Sequence, residues 1–242
     1  LETIKNADHP SFSVSTFDIL YKVNEGRDGL KKALDGLFAD ADQAIKDGTN
    51  IIILSDRNFD KENAPIPALL AMAGLHHHLI RQGTRTRVGL VLESGEPREV
   101  HHFCVLLGYG AQAINPYMAF ESLSDMIREG MLTDIDYHKA VYGYVKACVK
   151  GIVKVMAKMG ISTVASYRGA QIFENVGFGP ELIENYFTWT PSRVGGIGLE
   201  QVAAESKRQH DKAFPDRETN GSTLDVLGQY QYRRGGEKHL FN

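Results

Sequence analysis

Asn50-Ile51-Ile52-Ile53-Leu54-Ser55-Asp56-Arg57 is the stretch on which the fold turns. Its four apolar residues show no polar alternation. A strand of that kind is covered on both faces, which is the signature of a parallel sheet. Ser55-Asp56-Arg57 then closes it with polar side chains. Val88 to Leu92 repeats the pattern and closes on Glu93-Ser94-Gly95. Between the two, Pro67 to Arg81 has helical character and Gly83 ends it.

The same alternation extends in both directions. Upstream, Phe12, Val14 and Thr16 lead into a strand through Phe17-Asp18-Ile19-Leu20. Leu30, Ala33, Leu34, Leu37, Ala41 and Ile45 then recur at helical spacing before Gly48. Downstream, a helix is expected from Pro97 to Leu107, with proline in its first turn. A strand over Ala111–Tyr117, a helix over 119–128 and a long helix over 136–159 come next. Ile161-Ser162-Thr163-Val164 reads as one more strand, ending in Ser166-Tyr167-Arg168-Gly169. Further helices are expected over 170–176, 180–186 and 199–210.

Strands alternating with helices predict a parallel sheet with right-handed crossovers. There are too few strong strands for a complete eight-stranded barrel of roughly 250 residues. The fold class expected is therefore α/β, a partial or degenerate (β/α) barrel. Residues 1–10 read as a loose lead-in, 11–214 as the α/β domain, and 215–242 as an extended, Gly-rich excursion. Leu1 at the start and Leu240-Phe241 just before the last residue are expected of a piece cut from a longer chain.

Composition excludes several function classes. The 242 residues carry a net charge of −3, so no basic field exists to hold nucleic acid or an anionic membrane. No apolar run approaches the roughly 20 residues of a membrane span. The only cysteines, Cys104 and Cys148, sit in apolar helical contexts. They read as buried thiols of a reducing compartment rather than as a disulfide.

In parallel α/β folds, ligands gather at the carboxyl ends of strands. Here those residues are Asp56, Arg57, Glu93, Ser94, Asn115, Tyr117, Tyr167 and Arg168. One reading is an independent enzyme that holds a small anionic substrate through Asp56, Glu93 and Arg168. The other is a self-satisfied ionic network, favoured by the lack of a nucleophile–base pair or metal motif. His76-His77-His78 and His101-His102 are visible clusters, but adjacent helical residues point in different directions. Metal ligands on one helix face need spacings of three or four. A site built across both clusters with Glu93 or Glu99 is the weakest alternative.

Ser94-Gly95-Glu96-Pro97 follows a strand where a phosphate loop could lie. It has one glycine, two flanking carboxylates and a proline without an N–H, so it is expected to bind no phosphate. Val194-Gly195-Gly196-Ile197-Gly198 lacks dinucleotide-motif spacing and reads as a site of close helix packing, with Arg193 beside it. Arg233-Arg234, flanked by Tyr230 and Tyr232, reads as an interdomain salt-bridge turn.

Several long strings resemble the central region of glutamate synthase. They include Asn50 to Arg57, Ala64-Pro65-Ile66-Pro67, and His76 to Arg81. Glu93-Ser94-Gly95-Glu96 and Lys158-Met159-Gly160-Ile161-Ser162-Thr163 continue the series. Ser166-Tyr167-Arg168-Gly169-Ala170-Gln171-Ile172-Phe173-Glu174, Ser192 to Gly198 and Tyr232 to Glu237 complete it. The strings run in order from about Phe12 to the end.

The resemblance implies the C-terminal part of that enzyme's central domain, a degenerate relative of its FMN barrel. The family makes L-glutamate from L-glutamine and 2-oxoglutarate. It carries a cysteine-nucleophile glutaminase domain, and an FMN barrel with an iron–sulfur cluster. No catalytic, cofactor-binding or metal residue of the family is matched in this segment, so none is expected here. The resemblance implies partners in the neighbouring glutaminase and FMN domains, and a cytoplasmic or plastid location. It suggests Tyr167, Arg168, Arg193, Gly195, Gly196, Arg233 and Arg234 as interdomain or ammonia-path contacts.

Overall fold

The computed structural model describes residues 1–6, 9, 11–215, 232–236 and 238. It divides into residues 1–210 and residues 211–242. The first unit opens with a short helix α1 (Glu2–Lys5), strand β1 (Val14–Asp18) and strand β2 (Leu20–Lys22). Helix α2 (Gly26–Lys46), β3 (Ile51–Ser55), β4 (Asn63–Pro65) and α3 (Ala68–Arg81) follow. Then come β5 (Gly89–Glu93), α4 (Val100–Gly108), β6 (Ala113–Asn115) and α5 (Tyr117–Arg128). The remaining helices are α6 (Tyr137–Lys158), α7 (Val164–Tyr167), α8 (Pro180–Tyr186) and α9 (Leu199–Ala213). In the second unit, the Gly236 amide donates to the Arg233 carbonyl and closes a tight turn.

The main sheet is parallel, in the order β1-β3-β5-β6. Spatial order follows chain order, and each strand is followed by a helix. A doubly wound sheet would reverse direction at a switch point. This arrangement has no reversal and matches successive units of a (β/α) barrel. The fold is therefore a partial barrel, as expected. Ile52, Ile53, Leu54, Leu90 and Leu92 are fully buried in the middle of the sheet. Helix α2 buries Leu30, Leu34, Leu37, Phe38, Ala41 and Ile45, and α3 buries most of its face from Ala68 to Leu79.

Strand register sets the site. Asp18 pairs with Ser55, Ser55 with Glu93, and Glu93 with Asn115. The carboxyl edge of the sheet is thus a continuous polar row.

The structure departs from the sequence reading in several places. The first strand breaks at the buried Ile19, and Leu20–Lys22 turns away to pair antiparallel with β4. Residues 2–5 of the expected lead-in are helical. Helix α4 starts at Val100, three residues after Pro97. Glu99 and His102 form a capping box that fixes its start. Residues 161–163 form no strand, because the Thr163 side chain accepts the Ser166 amide and nucleates α7. No helix forms over 170–176, where Gln171 takes a positive φ of 53°. Of the expected excursion over 215–242, residues 216–231, 237 and 239–242 lie outside the described residues.

Candidate functional site at the carboxyl edge of the sheet

Glu93 ends β5 and is 1 % exposed. Its carboxylate accepts from Arg57 Nε at 2.7 Å, Lys5 Nζ at 2.9 Å, Ser55 Oγ at 2.9 Å and Asn115 Nδ2 at 3.3 Å. Burial alone would raise its pKa. The hydrogen bonds from Arg57, Lys5 and Ser55 outweigh that and hold it below the ordinary carboxylate value. The reciprocal bond raises Arg57.

Asp56, 3 % exposed, forms the second half of the network. It accepts from Ser94 Oγ at 2.6 Å, Tyr117 Oη at 2.7 Å and the Gly95 amide at 3.1 Å. Burial first, and the bond to Asp56 second, push the Tyr117 hydroxyl well upward, so it stays a donor. The Arg57 guanidinium lies 4.1 Å from the centre of the Tyr117 ring and ties the two halves together.

Two buried carboxylates are thus offset by two cations and a set of neutral donors. The loop after β5 is spent on the same purpose. The Gly95 amide is aimed at Asp56, and the Glu96 amide donates to Ser94 Oγ at 3.1 Å. The amides that could cradle a phosphate are turned inward. Glu96 itself accepts the Ala68 amide at the start of α3.

Arg168 does not join this edge. Gly169 donates its amide to the Gly108 carbonyl, and the Gly108–Gly110 turn precedes β6. Tyr167 and Arg168 therefore lie at the amino end of the strands, opposite Asp56 and Glu93. The three-residue anion site of the enzyme reading is not assembled, because the strand that would have carried Arg168 upward is absent. Tyr167 is fully buried with Cys104 and Met156, its hydroxyl against the Cys104 thiol.

The histidines have separate partners. His76 Nδ1 accepts from Arg85 Nε at 2.9 Å. His77 Nδ1 lies 2.9 Å from the Ala73 carbonyl and 3.0 Å from that of Tyr186, so it donates. His78 Nε2 bonds Asp42 at 2.8 Å, and His102 Nδ1 accepts the Glu99 amide. Among the described residues no group of three or more His, Cys, Asp or Glu could hold a metal ion. No described helix is long and apolar enough to cross a membrane. Cys104 is buried, Cys148 half-buried, and both are free thiols.

Gly195 and Gly196 serve a loop contact rather than helix packing. Residues 192–197 run beside 175–179, with parallel bridges Asn175–Ser192 and Phe178–Ile197. A Cβ on Gly195 would lie 3.5 Å from the Phe178 carbonyl. Arg193 pairs with Glu174 at 3.3 Å on the surface. Arg233 and Arg234 are exposed in the turn of the second unit. The sequence reading named Asp56, Arg57, Glu93, Ser94, Asn115, Tyr117, Tyr167 and Arg168 as one edge, and the structure brings the first six together there. The reading missed Lys5 and Arg85, whose positions depend on tertiary folding and leave no local signal.

The family model described as "Glutamate synthase central domain" matches residues 1–179. The chain belongs to that family. It is 47 % identical over 239 residues to the glutamate synthase [NADPH] large chain of Bacillus subtilis, covering 99 % of this chain and 15 % of that one. It is 41 % identical over 250 residues to the glutamate synthase [NADH] of Saccharomyces cerevisiae, covering 99 % of this chain and 12 % of that one. The ferredoxin-dependent glutamate synthase of Pyropia yezoensis is 39 % identical over 234 residues, covering 92 % of this chain and 15 % of that one. The glutamate synthase segment described here thus spans well under a fifth of these relatives' length.

Proposed function

We propose that this chain is the C-terminal part of the central domain of a glutamate synthase, an oxidoreductase that makes L-glutamate from L-glutamine and 2-oxoglutarate. Its role is structural and coupling. The partial barrel holds the glutaminase and FMN domains in register and helps wall the path of ammonia between them. Ammonia that escapes into water becomes ammonium and stops being a nucleophile, so a packed wall serves the reaction. FMN and the iron–sulfur cluster belong to the parent enzyme outside this segment, and its setting is the cytoplasm or a plastid.

One observation carries the non-catalytic part of this reading. At the edge where barrel enzymes place their chemistry, Glu93 and Asp56 are saturated by Arg57, Lys5, Ser55, Ser94 and Tyr117. A substrate would have to displace bonds already made. The relatives are named for NADPH, NADH and ferredoxin alike, so this segment does not select the electron donor.

The test is to purify the chain and assay FMN binding by fluorescence quenching and glutaminase activity by ammonia release. The expected result is neither. Saturable FMN binding or glutamine hydrolysis by the pure chain would overturn the reading.

A further inference from the structure

Arg85 holds one turn at the amino end of the sheet, and the charge of Arg168 reaches it there. Arg85 donates from Nη2 to the Gly110 carbonyl at 2.8 Å, from Nη1 to the Val88 carbonyl at 2.8 Å, and from Nε to His76 at 2.9 Å. All three acceptors are neutral. The Gly169 amide, next to Arg168, donates to the Gly108 carbonyl of the same turn at 2.9 Å. The Arg168 Nε is buried and has no hydrogen-bond partner. Among the described residues, neither guanidinium enters an ion pair. Burial first, and the charge of Arg168 second, push Arg85 down to about 10. Two cations at one turn without a counter-charge favour the arrival of a carboxylate.

An apolar cavity adjoins that turn. It measures about 290 Å³, and its wall includes His76, Gly108, Tyr109, Gly169, Phe173 and Trp189. Trp189, the chain's single tryptophan, is 79 % exposed at φ 67°, and Gln171 on the same wall has φ 53°. Left-handed backbone at two non-glycine residues is strained, and such strain clusters at active sites, ligand clamps and switch regions. An exposed tryptophan with Arg81 on the same cavity wall has the composition of an interface anchor.

We infer that this face docks an acidic segment of a neighbouring domain, whose carboxylate seats between Arg85 and Arg168 while an adjacent apolar side chain enters the cavity beside Trp189. The inference rests on the proposed reading that the chain works inside a longer polypeptide. The charge at the turn specifies the sign of the partner, and the cavity specifies its apolar neighbour.

The experiment labels arginines with phenylglyoxal and reads each site by mass spectrometry. It compares the 242-residue chain with the full-length polypeptide that contains it. Arg168 is expected to react in the chain and to be protected about tenfold or more in the polypeptide. Exposed Arg128 on α5 serves as the reference. Equal labelling of Arg168 in both overturns the inference. Protection of the isolated chain by malonate at about 1 mM overturns the choice of a side-chain carboxylate in favour of a free ion. Hydrogen exchange over residues 187–190 of the polypeptide supplies the second readout. Arg168→Glu should deprotect the segment and Arg168→Lys should leave it protected; identical behaviour of the two variants overturns charge recognition. A polypeptide that makes no glutamate yet protects Arg168 defeats the enzymatic reading alone. One that makes glutamate with Arg168 freely labelled defeats this inference alone.

Discussion

Arg57 Nε donates to Glu93 Oε1 at 2.7 Å, and with the Ser55 bond to the same carboxylate it ties the carboxyl end of β3 to that of β5. Glu93 is buried while Arg57 is half-exposed, so the two members are not equivalent. Removing the carboxylate leaves both Arg57 and Lys5 facing neutral oxygen. Breaking a fully buried pair costs about 3–5 kcal/mol, and exposure of Arg57 reduces that. Glu93→Gln is expected to lower unfolding free energy by about 2 kcal/mol, read from the urea midpoint at an unchanged slope. A loss under about 0.5 kcal/mol would mean the network contributes little to stability.

Tyr117 tests the other half of the edge. Its hydroxyl is one of three donors to Asp56, and its ring supports the Arg57 guanidinium. Tyr117→Phe removes the donor and keeps the ring. Asp56 retains Ser94 and the Gly95 amide, so the expected loss is about 1–2 kcal/mol. Tyr117→Ala should cost more, because the cation–π contact goes too. Equal losses for the two variants would show that the ring contributes nothing.

The edge was readable in the sequence because β3 and β5 are apolar on both faces. Once the strands are placed, register alone aligns Ser55 with Glu93 and Glu93 with Asn115. Residues 161–176 were not readable for a physical reason. Ile161, Thr163 and Val164 have β-branched side chains, yet Thr163 is also a good helix cap, and capping won. Phe173 lies in the stretch 170–176, where a helix is expected. Its ring instead stacks 5.7 Å from that of Tyr109, a contact made across the fold. Lys5 belongs to the same class, since its 2.9 Å bond joins residues 88 positions apart.

His76 makes stability depend on acid. Burial, then the charge of Arg85, holds its folded pKa at about 3, against about 6.5 in the unfolded chain. A depressed folded pKa means the stabilisation is complete above pH 6.5 and is lost as pH falls toward 3. The unfolded chain takes the proton first, at up to about 1.4 kcal/mol per pH unit. His77 is also lowered, chiefly by burial, and adds to the slope. Glu93, lowered as well, adds its loss only below its unfolded value near 4.5. His76→Asn keeps an acceptor for Arg85 but cannot titrate. Urea unfolding between pH 6.5 and 5 should show a flatter slope for the variant, in a window where Glu93 is silent. An unchanged slope would mean that His76 takes up its proton alike in the folded and the unfolded chain.

Gly110 holds the turn that Arg85 and the Gly169 amide both bond. Its φ is 111°, and a Cβ placed there would lie 2.3 Å from His76 Nδ1, the atom that accepts from Arg85. Gly110→Ala therefore combines a left-handed strain with a collision against a buried ring. Each term costs about 1–3 kcal/mol, so a total near 3 kcal/mol is expected. The His76 ring must tilt to relieve the contact, which lengthens its bond to Arg85. Gly36, on α2, is the control, because a Cβ there meets nothing within 4 Å. Gly36→Ala should stabilise slightly by its helix preference, by up to about 1 kcal/mol. Thermal or urea unfolding of the two variants should move in opposite directions. If Gly110→Ala proved neutral, the turn would have room that its packing against His76 denies.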